Sequence, residues 1–169
     1  MNVISRKIYS KMLEWKNTVH GTKALLIEGA RRIGKSTVAE EFGKKEYKSY
    51  VIIDFNKASR KITECFDDIT NLDIFFQTIS LEYNTRLYER ESLIIFDEIQ
   101  KFPKARETIK YLVADGRYDY IETGSLISIR ENVDNITIPS EERKLKMFPL
   151  DFEEFMLYMD EELLLEYIK

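Results

Sequence analysis

Cysteine is almost missing from this chain. Cys65 stands alone in 169 residues, so no internal disulfide can form, and a reducing compartment such as the cytoplasm fits best. With no histidine or second cysteine near it in sequence, Cys65 reads as a small packed residue rather than a nucleophile. Histidine is as scarce. His20 lies beside Gly21 at the end of a helical stretch, where a capping or surface role suits it better than catalysis. No apolar run approaches the roughly 20 residues that a membrane-spanning helix needs. The first residues lack the apolar core of a secretion signal. Excess positive charge is missing too: the formal net charge is −4, which excludes a wholly basic nucleic-acid glove but not a local basic patch. Neither an internal repeat nor a low-complexity linker is found.

What is present is the composition of an ordinary globular domain, 44% hydrophobic and 33% charged. The length suits about one domain with a single sizeable core.

The stretch from Gly29 to Ser36 reads G-A-R-R-I-G-K-S, which matches G-x-x-x-x-G-K-[ST], a phosphate-binding loop. The short apolar run Ala24-Leu25-Leu26-Ile27-Glu28 precedes it as a strand would. Lys35 to Phe42 follows with helical character, and Gly43 is placed to end that helix. The chemistry explains the spacing. Gly29 and Gly34 can take backbone angles that turn successive N–H groups inward as an anion nest. The helix brings its partly positive N-terminus to the same place. Ala30, Arg31, Arg32, Ile33 and Thr37 complete the candidate nucleotide contacts. Lys35 would reach the β- and γ-phosphates of ATP, and the Ser36 hydroxyl would coordinate Mg²⁺. A glycine-containing turn with a chance lysine is the plainer alternative.

A second stretch, Leu93-Ile94-Ile95-Phe96-Asp97-Glu98, is a strand apolar on both faces with two carboxylates at its end. Asp97 is the candidate Mg²⁺ ligand. Glu98 points to the other side of the pleat, where it would polarise a water for attack on the γ-phosphate. The fourth strand, Tyr118 to Thr123, ends in Thr123-Gly124-Ser125. If it lies between the other two, Thr123 or Ser125 would hydrogen-bond the attacking water or the γ-phosphate. Plain turn polarity remains the alternative there.

The rest of the chain reads as follows. Ser5 to His20 is an amphipathic helix carrying Ile8, Met12, Trp15 and Val19, with Trp15 in the core rather than stacked on a base. Tyr50 to Phe55 is a strand whose terminal Asp54 either assists the site or caps the strand end. Lys57 to Phe66 is weakly helical, and Leu72, Phe76, Ile79 and Tyr83 mark a clearer helix. Pro103 opens another, which ends at Asp115-Gly116. Arg143 to Leu150 is a fifth strand with a basic edge, and a helix with a capping-box start follows from Asp151.

These motifs resemble those of AAA+-type ATPases. The closer similarity is to a bacterial and archaeal group reading G-A-R-R-x-G-K-[ST], D-E-[IV]-Q and T-G-S, here Gly29–Ser36, Asp97–Gln100 and Thr123–Ser125. The run Met147 to Phe155 is similar to that group's signature after its fifth strand. The resemblance implies an α/β P-loop NTPase fold, three αβα layers around a parallel five-stranded sheet ordered 5-1-4-3-2. It implies Mg²⁺-dependent ATP binding and hydrolysis, coupled to movement of an attached domain or partner. In it Lys35 binds phosphate, Ser36 and Asp97 hold Mg²⁺, Glu98 is the catalytic base, and Ser125 or Thr123 is a polar sensor. Residues 1–169 would then be one ATPase core, cut before a lid and a C-terminal nuclease-like domain. An arginine would come from a second copy or a partner protein, and Arg130 and Arg143 are candidates by position. A non-hydrolysing switch and a nucleic-acid-linked regulator are the alternatives.

Overall fold

In the computed structural model, residues 7–125 and 142–149 are described. Five strands form one sheet in the order β2-β3-β4-β1-β5. They are β1 (Ala24–Gly29), β2 (Ser49–Asp54), β3 (Ser92–Asp97), β4 (Asp119–Ser125) and β5 (Glu142–Lys146). Every pairing is parallel. The sheet is therefore the one expected, in the expected order. Each crossover is long enough to carry a helix, as parallel strands require.

Strand alternation sorts the core into two layers. Leu25, Ile27, Leu93, Ile95 and Ile121 face helices α1 (Lys7–Val19) and α2 (Lys35–Glu46). Their neighbours Ala24, Leu26, Ile94, Phe96 and Tyr120 face α3 (Arg60–Cys65), α4 (Leu72–Glu82) and α5 (Pro103–Asp115). Central strands buried on both faces explain why β1 and β3 read as unbroken apolar runs. Trp15 is fully buried in the first layer and donates its indole N–H to the Lys23 carbonyl at 3.0 Å, so it is a core residue.

Local chemistry sets the ends of the helices. Pro103 occupies the first turn of α5, and Gly116 closes that helix at φ 80°. Asn71 caps α4 by accepting the Ile74 N–H, and Ser59 caps α3 by accepting the Ile62 N–H. Ser5, the cap expected for α1, lies outside the described residues.

Two sequence expectations are corrected. Gly43 does not end α2, which runs on to Glu46. A Cβ at Gly43 would stand 3.0 Å from the Tyr50 Cβ, so the missing side chain is what lets α2 pack closely on β2. Close packing outweighs the roughly 1 kcal/mol that glycine costs inside a helix. The fifth strand ends at Lys146 rather than Leu150. Beyond it, the Met147 N–H donates to the Glu28 carbonyl at 2.8 Å, which keeps the chain against the end of β1. The helix expected from Asp151, and Arg130, lie outside the described residues.

An aromatic cluster anchors the sheet beneath its carboxyl edge. Phe55 lies 5.9 Å from Phe96 and stacks on Phe102 at 5.3 Å, and Phe66 meets both Phe96 and Phe102 edge-on. Such pairs add about 0.5–1.5 kcal/mol each beyond area burial. They hold the residue before Asp97 and the turn after Glu98 in one packed unit.

Candidate nucleotide site

The parallel register carries the ends of β1, β3 and β4 to one edge. Gly29 stands opposite Ser125, Ile27 opposite Thr123, and Phe96 opposite Glu122. The next residue along β3 is Asp97, so Asp97 and Thr123 meet across the seam. In open α/β sheets this carboxyl edge is where ligands sit.

The loop between β1 and α2 has the conformation that its sequence suggests, with its strain placed differently. Gly34 takes the left-handed region at φ 95° and is the N-cap of α2, where no side chain caps the helix. The first N–H groups of a helix have no partner within it, so this end presents donors and positive dipole to an anion. Gly29 does not use a left-handed angle. It is needed for close approach, since a Cβ there would meet the Met147 carbonyl oxygen at 2.4 Å. The second left-handed residue of the loop is instead Arg32, at φ 61°. Ala30, Arg31, Arg32 and Thr37 are exposed, and Ile33 is half-buried.

Lys35 is buried and folds back over the loop. Its Nζ donates to the Gly29 carbonyl at 3.1 Å and the Ala30 carbonyl at 2.6 Å. Burial pushes its ammonium below the ordinary lysine value, while the Glu98 and Asp97 carboxylates pull it back up and Arg31 lowers it further. Loop, lysine and acidic pair therefore share one electrostatic environment.

At the acidic pair, Ser36 Oγ donates to Asp97 Oδ1 at 2.6 Å, and Thr123 Oγ1 donates to the same oxygen at 2.5 Å. Thr123 Oγ1 also accepts the Glu98 N–H at 3.1 Å. The fully buried Thr123 thus spends its hydroxyl on fixing Asp97 and Glu98. Ser125 differs. Its Oγ is buried and has no hydrogen-bond partner, beside the first residue of the phosphate loop. A buried hydroxyl without a partner costs about 1–3 kcal/mol. A ligand oxygen arriving at this edge would relieve that cost.

Glu98 is not on the pleat, so the expectation based on strand alternation is corrected. The strand ends at Asp97, and Glu98 takes φ 58° and ψ 52°, a left-handed conformation in a residue other than glycine. Such strain costs on the order of 1–3 kcal/mol and persists only where surrounding bonds impose it. Here the Thr123 hydroxyl holds its N–H, and its carbonyl accepts the Lys101 N–H at 2.9 Å in a 3₁₀ turn (Ile99–Lys101). No sequence signal announced that geometry.

The remaining candidates fall elsewhere. Asp54 accepts the Asn56 N–H at 2.9 Å, the local turn of a strand-end cap. Burial pushes the Cys65 thiol up to about 12, which leaves it unreactive. Arg143 lies in register with Leu25, four residues before Gly29, so it stands roughly 13 Å along the sheet from the loop of its own chain.

A divalent ion and a triphosphate fit the donor set. Magnesium takes one or two protein oxygens and completes its shell with water and phosphate. The Ser36 hydroxyl and Asp97 carboxylate supply such a pair, and among the described residues no cluster of three or more metal-binding side chains competes with it.

The sheet order, the loop between β1 and α2 and the acidic end of β3 define a P-loop NTPase of the α/β class. The chain belongs to the AAA domain family, whose profile matches residues 21–156. Among solved structures it is similar to the Walker-type ATPase PABY2304 of Pyrococcus abyssi, at 18% identity and a TM-score of 0.52, over 94% of this chain and 57% of that one. It is also similar to PCH-2 of C. elegans, at 13% identity and a TM-score of 0.46, over 84% of this chain and 42% of that one. This chain therefore spans little more than half of the first protein and less than half of the second. No curated protein matches it.

Proposed function

We propose that this domain binds Mg²⁺–ATP and hydrolyses it, with hydrolysis moving an attached domain or partner. The observation that carries this reading is the convergence on Asp97 Oδ1 of hydroxyls from the start of α2 and the end of β4. Three segments far apart in sequence thereby share one buried polar seam beside Lys35.

In this reading the loop from Gly29 to Thr37 wraps the phosphates with backbone N–H groups. Lys35 leaves the loop carbonyls to pair with β- and γ-phosphate oxygens, whose charge favours the ammonium form that burial disfavours. Ser36 and Asp97 would hold Mg²⁺, which would neutralise charge on the phosphates. Glu98 orients the attacking water and accepts its proton. Ser125 is the sensor that bonds the γ-phosphate, while Thr123 fixes Asp97 and Glu98 in place. An arginine from a second copy or a partner completes the site. The position of Arg143 in β5 suits such a role only toward a neighbouring molecule.

Titration of ATP into wild type and Lys35→Ala tests the binding half. Loss of a charge-assisted phosphate contact of about 1.5–3 kcal/mol lowers affinity roughly 10- to 100-fold, and equal affinities would remove the reading. Glu98→Gln tests the chemical half in the full-length protein. It should keep ATP affinity and lose steady-state phosphate release. Wild-type protein that binds ATP without releasing phosphate would instead be a nucleotide-dependent switch.

A further inference from the structure

Glu98 is held in place from three directions, and one of them comes from a side chain that the proposed chemistry leaves unused. Thr123 fixes its N–H, and Lys101 fixes its carbonyl. Its carboxylate is met by Gln100, whose Nε2 donates to Glu98 Oε2 at 2.5 Å. Gln100 lies two residues on, in the 3₁₀ turn, and is half-buried. That turn is rigid because Ile99 is buried under it and Phe102 stacks on Phe55 just after it. The amide donor is therefore mounted on a packed element rather than on a mobile loop.

From this geometry we infer that Gln100 is a positioning residue for hydrolysis, holding the Glu98 carboxylate in the orientation that receives the attacking water. The inference rests on the assignment of Glu98 as the base. A carboxylate on a flexible side chain samples several rotamers, and a base must stand within hydrogen-bond reach of the proton it takes. The amide of Gln100 engages Oε2 alone, so Oε1 stays available to a water. A neutral amide can do this where a lysine could not, because a nearby cation would pair with the carboxylate and blunt it as a base. The left-handed backbone of Glu98 serves the same end. It takes the residue off the strand and brings its side chain over the turn that carries Gln100.

Three variants of the full-length protein separate this role from packing. Gln100→Ala removes the amide. Gln100→Glu keeps the shape and removes the donor. Gln100→Lys changes the shape and restores a donor. Phosphate release should fall about 10- to 100-fold in kcat for the alanine and glutamate variants, the scale of a misplaced catalytic group. ATP affinity and KM should stay within about twofold, because no phosphate contact is lost. The lysine variant should not recover kcat, because its cation pairs with the Glu98 carboxylate and blunts it as a base. In a Glu98→Gln background, Gln100→Ala should add no further loss.

A glutamate variant as fast as wild type, or a loss appearing in KM rather than kcat, would overturn the inference. So would a rise in kcat for Gln100→Ala, which would mean that the contact parks Glu98 instead of aiming it. If Glu98→Gln is dead while Gln100→Glu is fully active, only the role of Gln100 falls. If Glu98→Gln turns over like wild type, the assignment of Glu98 falls and takes this role with it. A spectroscopic readout needs no turnover. The side-chain NH₂ resonance of Gln100, assigned by its loss in Gln100→Glu, should move on Glu98→Ala, and an unmoved resonance would refute the contact.

Discussion

Strand β4 turns two adjacent buried side chains to opposite faces of the sheet. Thr123 faces α2 and the phosphate loop, where its hydroxyl gives one hydrogen bond and takes another. Glu122 faces α5, where neither carboxylate oxygen finds a donor. Its neighbours are the Glu142 carboxylate, the Arg106 guanidinium and Lys144. Arg106 is spent on Glu142, which it grips through Nε at 3.0 Å and a terminal nitrogen at 2.7 Å. Burial first, and the negative Glu142 second, hold the Glu122 proton far above the usual carboxylate range. In that neutral form Glu122 can donate to Glu142. The opposite partner is held down: burial alone would raise the Glu142 carboxyl, and its bonds to Arg106 and Glu122 overcome that. One face of β4 thus carries the hydrogen-bonded Thr123 seam beside the unpartnered Ser125 hydroxyl, and the other is a buried charge cluster balanced by one proton.

The largest effect should come from breaking the cluster. Arg106→Met leaves Glu142 buried without its cation, at a cost of about 3–5 kcal/mol in denaturant unfolding. Arg60 and Glu64 on α3 are just as close, at 2.6 Å, but exposed. Arg60→Ala should cost less than about 0.5 kcal/mol, so burial rather than distance decides the outcome.

The next effect lies on the ligand face. Thr123→Val keeps the shape and strips the hydroxyl, leaving the Glu98 N–H without an acceptor and Asp97 short of a donor. Unfolding should be easier by about 1–3 kcal/mol. Turnover should fall further than the remaining folded fraction explains. A variant with wild-type stability and turnover would mean that the two faces of β4 do not differ.

The effect that is smallest in acid belongs to Glu122→Gln. Its amide donates to Glu142 as the protonated carboxyl does, but it does not titrate. The folded-state proton affinity of Glu122 lies above the unfolded reference of 4.5. Wild-type stability from this group is therefore fully present below pH about 4.5 and is lost as pH rises toward the folded value, by up to about 1.4 kcal/mol per pH unit. The variant should be level with wild type in acid and gain on it as pH rises. Parallel stability curves across that window would refute the neutral carboxyl.

The difference between the two faces also marks what could be read from the sequence. The phosphate loop, the acidic pair and the T-G-S end of β4 were legible, because local spacing ties each to one strand end. Sheet order followed from the resemblance. The α5 face was not legible, since Arg106 and Glu142 lie far apart in the chain and Glu122 resembles any polar residue in an alternating strand. Gly43 looked like a helix stop because its contact with Tyr50 is tertiary. The left-handed Glu98 was hidden for a similar reason: its partner Thr123 lies 25 positions further on. The Gln100 amide was close in sequence, yet nothing in D-E-I-Q shows that its side chain turns back onto the glutamate.

The proposed convergence of loop, hydroxyls and Asp97 on one metal-bound triphosphate is tested by calorimetric titration of ATP with and without Mg²⁺, in wild type and in Asp97→Asn. In wild type, Mg²⁺ should tighten binding by tenfold or more, about 1.4 kcal/mol. Asp97→Asn should keep its metal-free affinity and lose that gain. An undiminished Mg²⁺ effect in the variant would contradict the shared site.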